Sequence, residues 1–219
     1  NYSKKKLIGQ KIFDQNKIIF LGDPIIDINY INKIKKKKIE KKYLSRNYYI
    51  SIGRLTQQKN FTFLIDAIEK ILKKNNFRLL ILGSGEEKFS ILKKIKEKKL
   101  ENKIFLLGYK KNVYKYLNKS QGLICSSLWE EPGFVIQEAA ACKKIILSSN
   151  CKSGPSEFLN NGKNGYIFNS NDKRSFIRSF NQMMKEKKKH SKKIQNNFFK
   201  CKKYTKEYFA KKITVELDL

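Results

Sequence analysis

A short, nearly all-apolar run closed by Gly or Ser, then a longer stretch with apolar residues at helical spacing, recurs through most of this chain. No other feature restricts its fold as much. The runs at 48–53, 78–82, 104–108, 122–125, 144–147 and 166–168 suit strands covered on both faces rather than strands with one wet face. Behind Asn60, which is expected to cap a helix, Phe61, Leu64, Ile65, Ile68, Ile71 and Leu72 follow the helical period. Phe89, Leu92 and Ile95 mark the apolar face of a second helix, and Val113 with Leu117 marks a third. Strands alternating with helices require right-handed crossovers and hence a parallel sheet. The expected fold is α/β: a Rossmann-like parallel sheet of about six strands with helices on both faces. Two or three Lys-rich helices follow, with Phe176, Phe180, Met183, Phe198, Phe199 and Tyr208 among their apolar members. A further run at 17–21, closed by Gly22-Asp23-Pro24, reads as a strand and turn, and residues 31–44 as weak helix or loop.

Sheets of this kind take ligands outside the carboxyl ends of their strands. Gly53-Arg54, Gly83-Ser84-Gly85, Gly108-Tyr109 and residues 126–130 each follow such an end, so they converge on one edge. The stretch from Glu130 to Cys142 carries the most chemistry. Its apolar spacing from Phe134 to Ala141 gives a short, covered helix, with Gly133 at the strand-to-helix turn. Glu130 stands before this helix and Glu138 just past its first turn. A helix N-terminus offers unpaired N–H groups and a positive dipole end, which suits an anion. The carboxylates would accept hydrogen bonds from hydroxyls, as in sugar binding. Spacing alone fits equally a helix-start glutamate and an exposed one. Arg54 and Lys59 lie between a strand end and a helix start, where two fixed cations would neutralise a diphosphate. Composition alone would make them ordinary surface cations.

Three blocks then carry a resemblance. Glu130, followed by Gly133-Phe134 and the run Glu138-Ala139-Ala140-Ala141-Cys142, is similar to the signature of family 4 retaining glycosyltransferases of GT-B architecture. Residues 51–60, with Gly53-Arg54-Leu55 and Lys59-Asn60, resemble that family's strand, Gly-Arg-Leu and Lys-Asn block. Gly154-Pro155-Ser156-Glu157, leading to Gly165-Tyr166-Ile167-Phe168, resembles its Gly-Pro-x-Glu turn and closing strand. The blocks keep the family's order over residues 18–170. The resemblance implies the donor-binding, C-terminal half of a GT-B enzyme that moves a hexosyl or N-acetylhexosaminyl group from a nucleoside-diphosphate sugar with retention. It implies Arg54 and Lys59 on the leaving diphosphate, Glu130 at the donor sugar and reaction centre, and Glu138 on the ribose hydroxyls. Gly53, Gly133, Phe134 and Val135 would line the sugar and phosphates, and Gly83 and Tyr109 would flank the base, though Tyr109 also fits an ordinary loop aromatic. No metal or other cofactor is implied. The acceptor, a glycan or lipid-linked molecule of lipopolysaccharide, capsule or glycan synthesis, would be held by a missing N-terminal half. Two departures stand out: Lys143 occupies the position after Ala-Cys where the family usually has Gly, and Glu131-Pro132 precedes Gly133. A GT-B epimerase or phosphorylase half would share the same blocks.

The chain has 219 residues, enough for one sizeable core, and begins with Asn, so a fragment is expected. Residues 1–17 read as linker or the end of an acceptor domain, 18–187 as the nucleotide-sugar-binding domain and 188–219 as C-terminal helices. Forty-nine Lys and Arg against nineteen Asp and Glu give a formal charge of +30. Such excess raises nucleic acid as a partner, yet no Arg-rich stripe or aromatic-interleaved basic strand occurs. A non-enzymatic nucleic-acid-binding domain is therefore the disfavoured alternative. An anionic bilayer fits better, at ~1 kcal/mol per basic residue near the surface. No apolar run reaches the ~20 residues of a membrane span and no secretory signal is visible, so the expected place is the cytoplasm, with peripheral contact at the inner membrane face. Cys125 and Cys142 fall in apolar contexts and are expected as buried free thiols. The single histidine, His190, sits among lysines and is expected to be solvated. The pair Gly83 and Gly85 lacks the third glycine of a dinucleotide fingerprint.

Overall fold

The computed structural model describes residues 7–10, 18–19, 21–40, 43, 47–130, 133–151 and 154–216. Six strands, β1 (Tyr48–Ile52), β2 (Arg78–Leu82), β3 (Ile104–Leu106), β4 (Gly122–Cys125), β5 (Ile145–Ser149) and β6 (Tyr166–Phe168), form one sheet in the order β3-β2-β1-β4-β5-β6. Every pairing is parallel. The runs that read as two-sided strands are just that: β4 and β5 are buried at every position. Alternate side chains feed opposite layers, as the pleat requires. Leu79 and Ile81 of β2 face one core, and Leu80 and Leu82 face the other.

The first core is closed by α2 (Phe61–Lys74), α3 (Lys88–Glu97) and α7 (Lys173–Lys185), through Leu64, Ile68, Ile91 and Phe176 among others. The second is closed by α1 (Ile28–Ile34), α4 (Tyr114–Lys119), α5 (Phe134–Ala141) and α8 (His190–Cys201). A one-turn α6 (Pro155–Phe158) precedes β6, and α9 (Lys206–Glu216) follows α8. Burying each large aliphatic side chain in these cores contributes about 1.5–3 kcal/mol. The two-sided α/β sandwich expected from the sequence is the fold observed.

Several local expectations are corrected. Ile18, Ile19 and Leu21 are in no strand, while Lys17 and Phe20 lie outside the described residues. Instead Ile26 forms an isolated parallel bridge with Thr205, which ties the early chain to the C-terminal helices. Asn60 precedes α2, but in the left-handed region (φ 54°) with no side-chain cap; its amide donates to Asn171 Oδ1 at 2.6 Å. On α3 the buried pair is Ile91 and Ile95, whereas Phe89 is 81% and Leu92 42% exposed. The core side of a short Lys-rich helix is decided by how it lies on the sheet, and three apolar residues left two faces open. In the same way α8 buries Asn197 and Cys201 while Phe199 is exposed, and α9 buries nothing. His190 is half-buried rather than fully solvated: its Nε2 lies 2.9 Å from Met183 O, its ring meets Tyr166 edge-on, and desolvation pulls its pKa down. All four cysteines are free and buried, the two named from sequence and also Cys151 and Cys201.

Candidate active site

The strand order reverses direction between β1 and β4, so the helices that follow these neighbours, α2 and α5, cover opposite faces of the sheet and leave a crevice at the strands' carboxyl ends. The loop after β1 carries Gly53, Arg54 and the 3-10 turn Gln57–Lys59, and the loop after β4 carries Ser126 to Glu130. A ladder of hydrogen bonds joins them. Ser126 Oγ donates to Lys59 O (2.8 Å), Leu128 N to Gln58 O (2.8 Å) and Gln58 Nε2 to Trp129 O (2.9 Å). Below this, Ser51 Oγ donates to Ile124 O at 2.7 Å, so the two loops rise from strands already fixed to each other.

Lys59 and Glu130 meet across the crevice: Nζ lies 2.5 Å from Oε1. The same oxygen accepts from Ser127 Oγ at 2.6 Å, and Glu130 is only 4% exposed. Ser127 is anchored in turn by Ser149 Oγ, which donates to its carbonyl at 2.6 Å. A buried carboxylate held by a cation and a hydroxyl has a fixed orientation. Arg54 is exposed and among the described residues has no ion-pair partner, leaving its guanidinium available to an anion.

A cavity of about 240 Å³ is lined by Gly53, Arg54, Lys59, Glu130 and the α5 start, Gly133 to Val135. Gly133 begins α5 with φ 78°, a left-handed conformation that costs glycine little. The first N–H groups of α5, at Phe134 and Val135, therefore open onto two cations and a carboxylate. A second cavity of about 190 Å³ shares Ile52, Gly53 and Arg54 and adds Gly83, Tyr109 and Val113. Gly83 has φ 150°, and a Cβ there would fall 1.8 Å from Gly53 O; this close approach lets the loop after β2 lie on the loop after β1. Tyr109 stands at the cavity wall, 75% exposed.

Nine of the ten residues singled out from sequence thus line these two adjoining cavities. Glu138 does not. It lies deeper in α5 and accepts from Tyr114 Oη at 3.1 Å, and burial raises its pKa to about 7. Sequence reasoning missed Ser127 and Tyr114. Ser127 was visible only as a strand end, and Tyr114 is 24 residues from Glu138 with no local pattern to join them. Glu131 and Pro132 lie outside the described residues. Lys143, by contrast, does adopt the left-handed conformation (φ 55°) for which glycine is favoured. Among the described residues, no group of three or more His, Cys, Asp or Glu side chains is placed to hold a metal ion. No helix among them is long and apolar enough to cross a membrane.

Comparison with known proteins bears on the family and the fold. The profile of the family described as glycosyl transferases group 1 matches residues 32–200. An uncharacterised glycosyltransferase of Methanocaldococcus jannaschii is 36% identical over 142 residues, covering 62% of this chain and 34% of that protein. The N-acetylgalactosamine-N,N'-diacetylbacillosaminyl-diphospho-undecaprenol 4-alpha-N-acetylgalactosaminyltransferase of Campylobacter jejuni is 31% identical over 158 residues, 72% of this chain and 43% of that one. The chain therefore spans about a third to two fifths of the length of these curated relatives. Among solved structures, a glycosyltransferase from Rickettsia africae superposes with a TM-score of 0.82 at 19% identity, covering 99% of this chain and 60% of the other. Anabaena HepE in complex with UDP and glucose gives a TM-score of 0.77 at 20% identity, with coverage of 99% and 60%. At those identities the likeness is one of fold. The profile match over most of the chain is a match of family, and the chain belongs to the glycosyl transferases group 1 family, with the fold of one Rossmann-like half of a GT-B glycosyltransferase.

Proposed function

We propose that the crevice between β1 and β4 binds a nucleoside-diphosphate sugar and that this chain is the donor-binding half of a retaining hexosyl- or N-acetylhexosaminyltransferase. The observation that carries the reading is the Lys59–Glu130 pair beside Arg54 and the N-terminus of α5, which sets cations, helix N–H groups and a fixed carboxylate around one cavity. Arg54 and Lys59 hold the diphosphate and stabilise its charge as the glycosidic bond to phosphate breaks. The first N–H groups of α5 share that task. Glu130, oriented by Ser127 and Lys59, accepts hydrogen bonds from the donor sugar. This reading assigns the ribose hydroxyls to Glu138 although it lines neither cavity, which requires Tyr114 to share the carboxylate, and Tyr109 covers the base at the rim of the second cavity. The nucleotide-bound neighbours support the donor class: HepE was solved with UDP and glucose, and a Staphylococcus aureus TarM mutant with UDP and alpha-GlcNAc-glycerol.

The acceptor half, the acceptor and a role in cell-envelope or glycan synthesis at the cytoplasmic membrane face belong to this same proposal. Calorimetric titration with UDP, GDP and UDP-sugars tests it. At least one nucleotide should bind saturably, and Arg54→Ala should weaken it by about tenfold or more. Failure of every nucleotide to bind, or unchanged affinity in both Arg54→Ala and Glu138→Ala, overturns the reading.

A further inference from the structure

A second concave and strongly basic feature lies on the other side of the sheet. The turn leading into β6 and the start of α8, with its preceding 3-10 turn Lys187–Lys189, enclose a cleft of about 590 Å³. Five lysines line it, Lys163, Lys188, Lys189, Lys192 and Lys193, together with three asparagines, and no acidic side chain is among the lining residues. All six strands run parallel, so the turn before β6 sits at the amino-terminal edge of the sheet, opposite the loops that carry Gly53, Gly83 and Glu130.

Two of the five lysines are committed. Lys193 Nζ donates to the carbonyls of Gly162, Lys163 and Gly165 at 3.0–3.1 Å and fastens the turn. Lys189 pairs with Glu186 at 2.9 Å. Lys163, Lys188 and Lys192 have no ion-pair partner among the described residues, and all three are exposed. A Lys-rich composition would by itself scatter lysines among acids, and on α2 and α3 it does. There Lys73 and Lys94, with Lys98 just past the end of α3, interleave with Asp66 and Glu69 in an ion-paired network. The cleft departs from that pattern: its cations repel one another across a concave wall. They also crowd the positive end of α8, whose first turn holds no acid. A polyanion in the cleft would remove both penalties and meet asparagine amide donors besides.

We propose that this cleft binds a phosphorylated ligand with two or more negative charges, a free phosphate ester or a phospholipid headgroup, at a site separate from the donor crevice. Pyrophosphate serves as the soluble probe, titrated into Arg54→Ala protein so that the donor crevice contributes little. One saturable site is expected. The triple Lys163→Glu, Lys188→Glu, Lys192→Glu should lower its affinity by about tenfold or more. The triple Lys70→Glu, Lys74→Glu, Lys96→Glu, with the same net charge, should stay within about twofold, since those charges act only through screened long-range fields. Lys163→Gln, Lys188→Gln, Lys192→Gln replaces the first triple if charge reversal destabilises the chain. Sedimentation with phosphatidylcholine vesicles, with and without phosphatidic acid, identifies the source: capture that depends on both phosphatidic acid and the cleft lysines marks a headgroup, and pyrophosphate binding without capture marks a free ligand. Non-saturable pyrophosphate uptake, or equal losses in the two glutamate triples, overturns the site. UDP titration of the wild-type protein reports on the donor crevice independently.

Discussion

Burial sets the behaviour of Glu138. Its carboxyl is pushed from 4.5 to about 7 because the charged form is desolvated inside α5, only partly offset by the Tyr114 hydroxyl. The folded chain therefore holds this proton more tightly than the unfolded chain. The associated stability is complete below about pH 4.5 and is lost as pH rises to about 7, at a slope of up to about 1.4 kcal/mol per pH unit. Urea midpoints measured across that window should fall less steeply in Glu138→Gln than in the wild type; parallel curves would refute the assignment. Lys143 is a second residue-scale case. Its left-handed backbone costs about 1–2 kcal/mol relative to glycine, against about 0.5–1 kcal/mol from its ammonium over the Phe198 ring at 4.6 Å. Lys143→Gly should raise unfolding stability by about 0.5–1 kcal/mol in denaturant titration.

At the scale of elements, periodicity found the helices but did not orient all of them. The 14-residue α2 carries enough apolar positions to define one face, and Leu64, Ile65, Ile68 and Leu72 are buried as their spacing required. The shorter α3 has Phe89, Ile91, Leu92 and Ile95, and two different stripes can be drawn through them. Packing against the sheet selects Ile91 and Ile95. Ile91→Ala should therefore cost about 2–4 kcal/mol, and Phe89→Ser about 0.5 kcal/mol or less. Equal costs would mean that α3 is rotated from the face described. The strand-end glycines were legible as turns. That Gly83 must lack a Cβ because Gly53 O approaches it follows from two loops 30 residues apart, which no local pattern joins.

For the molecule as a whole, the two cores share one sheet, and all four thiols lie within the packed structure. Burial pushes Cys142, Cys151 and Cys201 up to about 12 and raises Cys125 as well. Reaction with a disulfide reagent near pH 8 should be slow in the native protein, should report global opening, and should become prompt for all four thiols in urea. Prompt labelling of any one thiol without denaturant would show that its part of the core opens on its own.

The succession of apolar runs and helical stretches determined the parallel α/β sandwich, because strands buried on both sides need helices above and below and right-handed crossovers to join them. The chain also carried the three blocks around Arg54, Glu130 and Pro155, since a loop that follows a strand can be located by counting. The tertiary structure alone decided that Lys59 reaches Glu130, that Ser127 aims that carboxylate, that Tyr114 meets Glu138, and that lysines from two distant segments crowd one cleft. Each is a contact between segments far apart in sequence, and only strand order and helix placement bring them within reach.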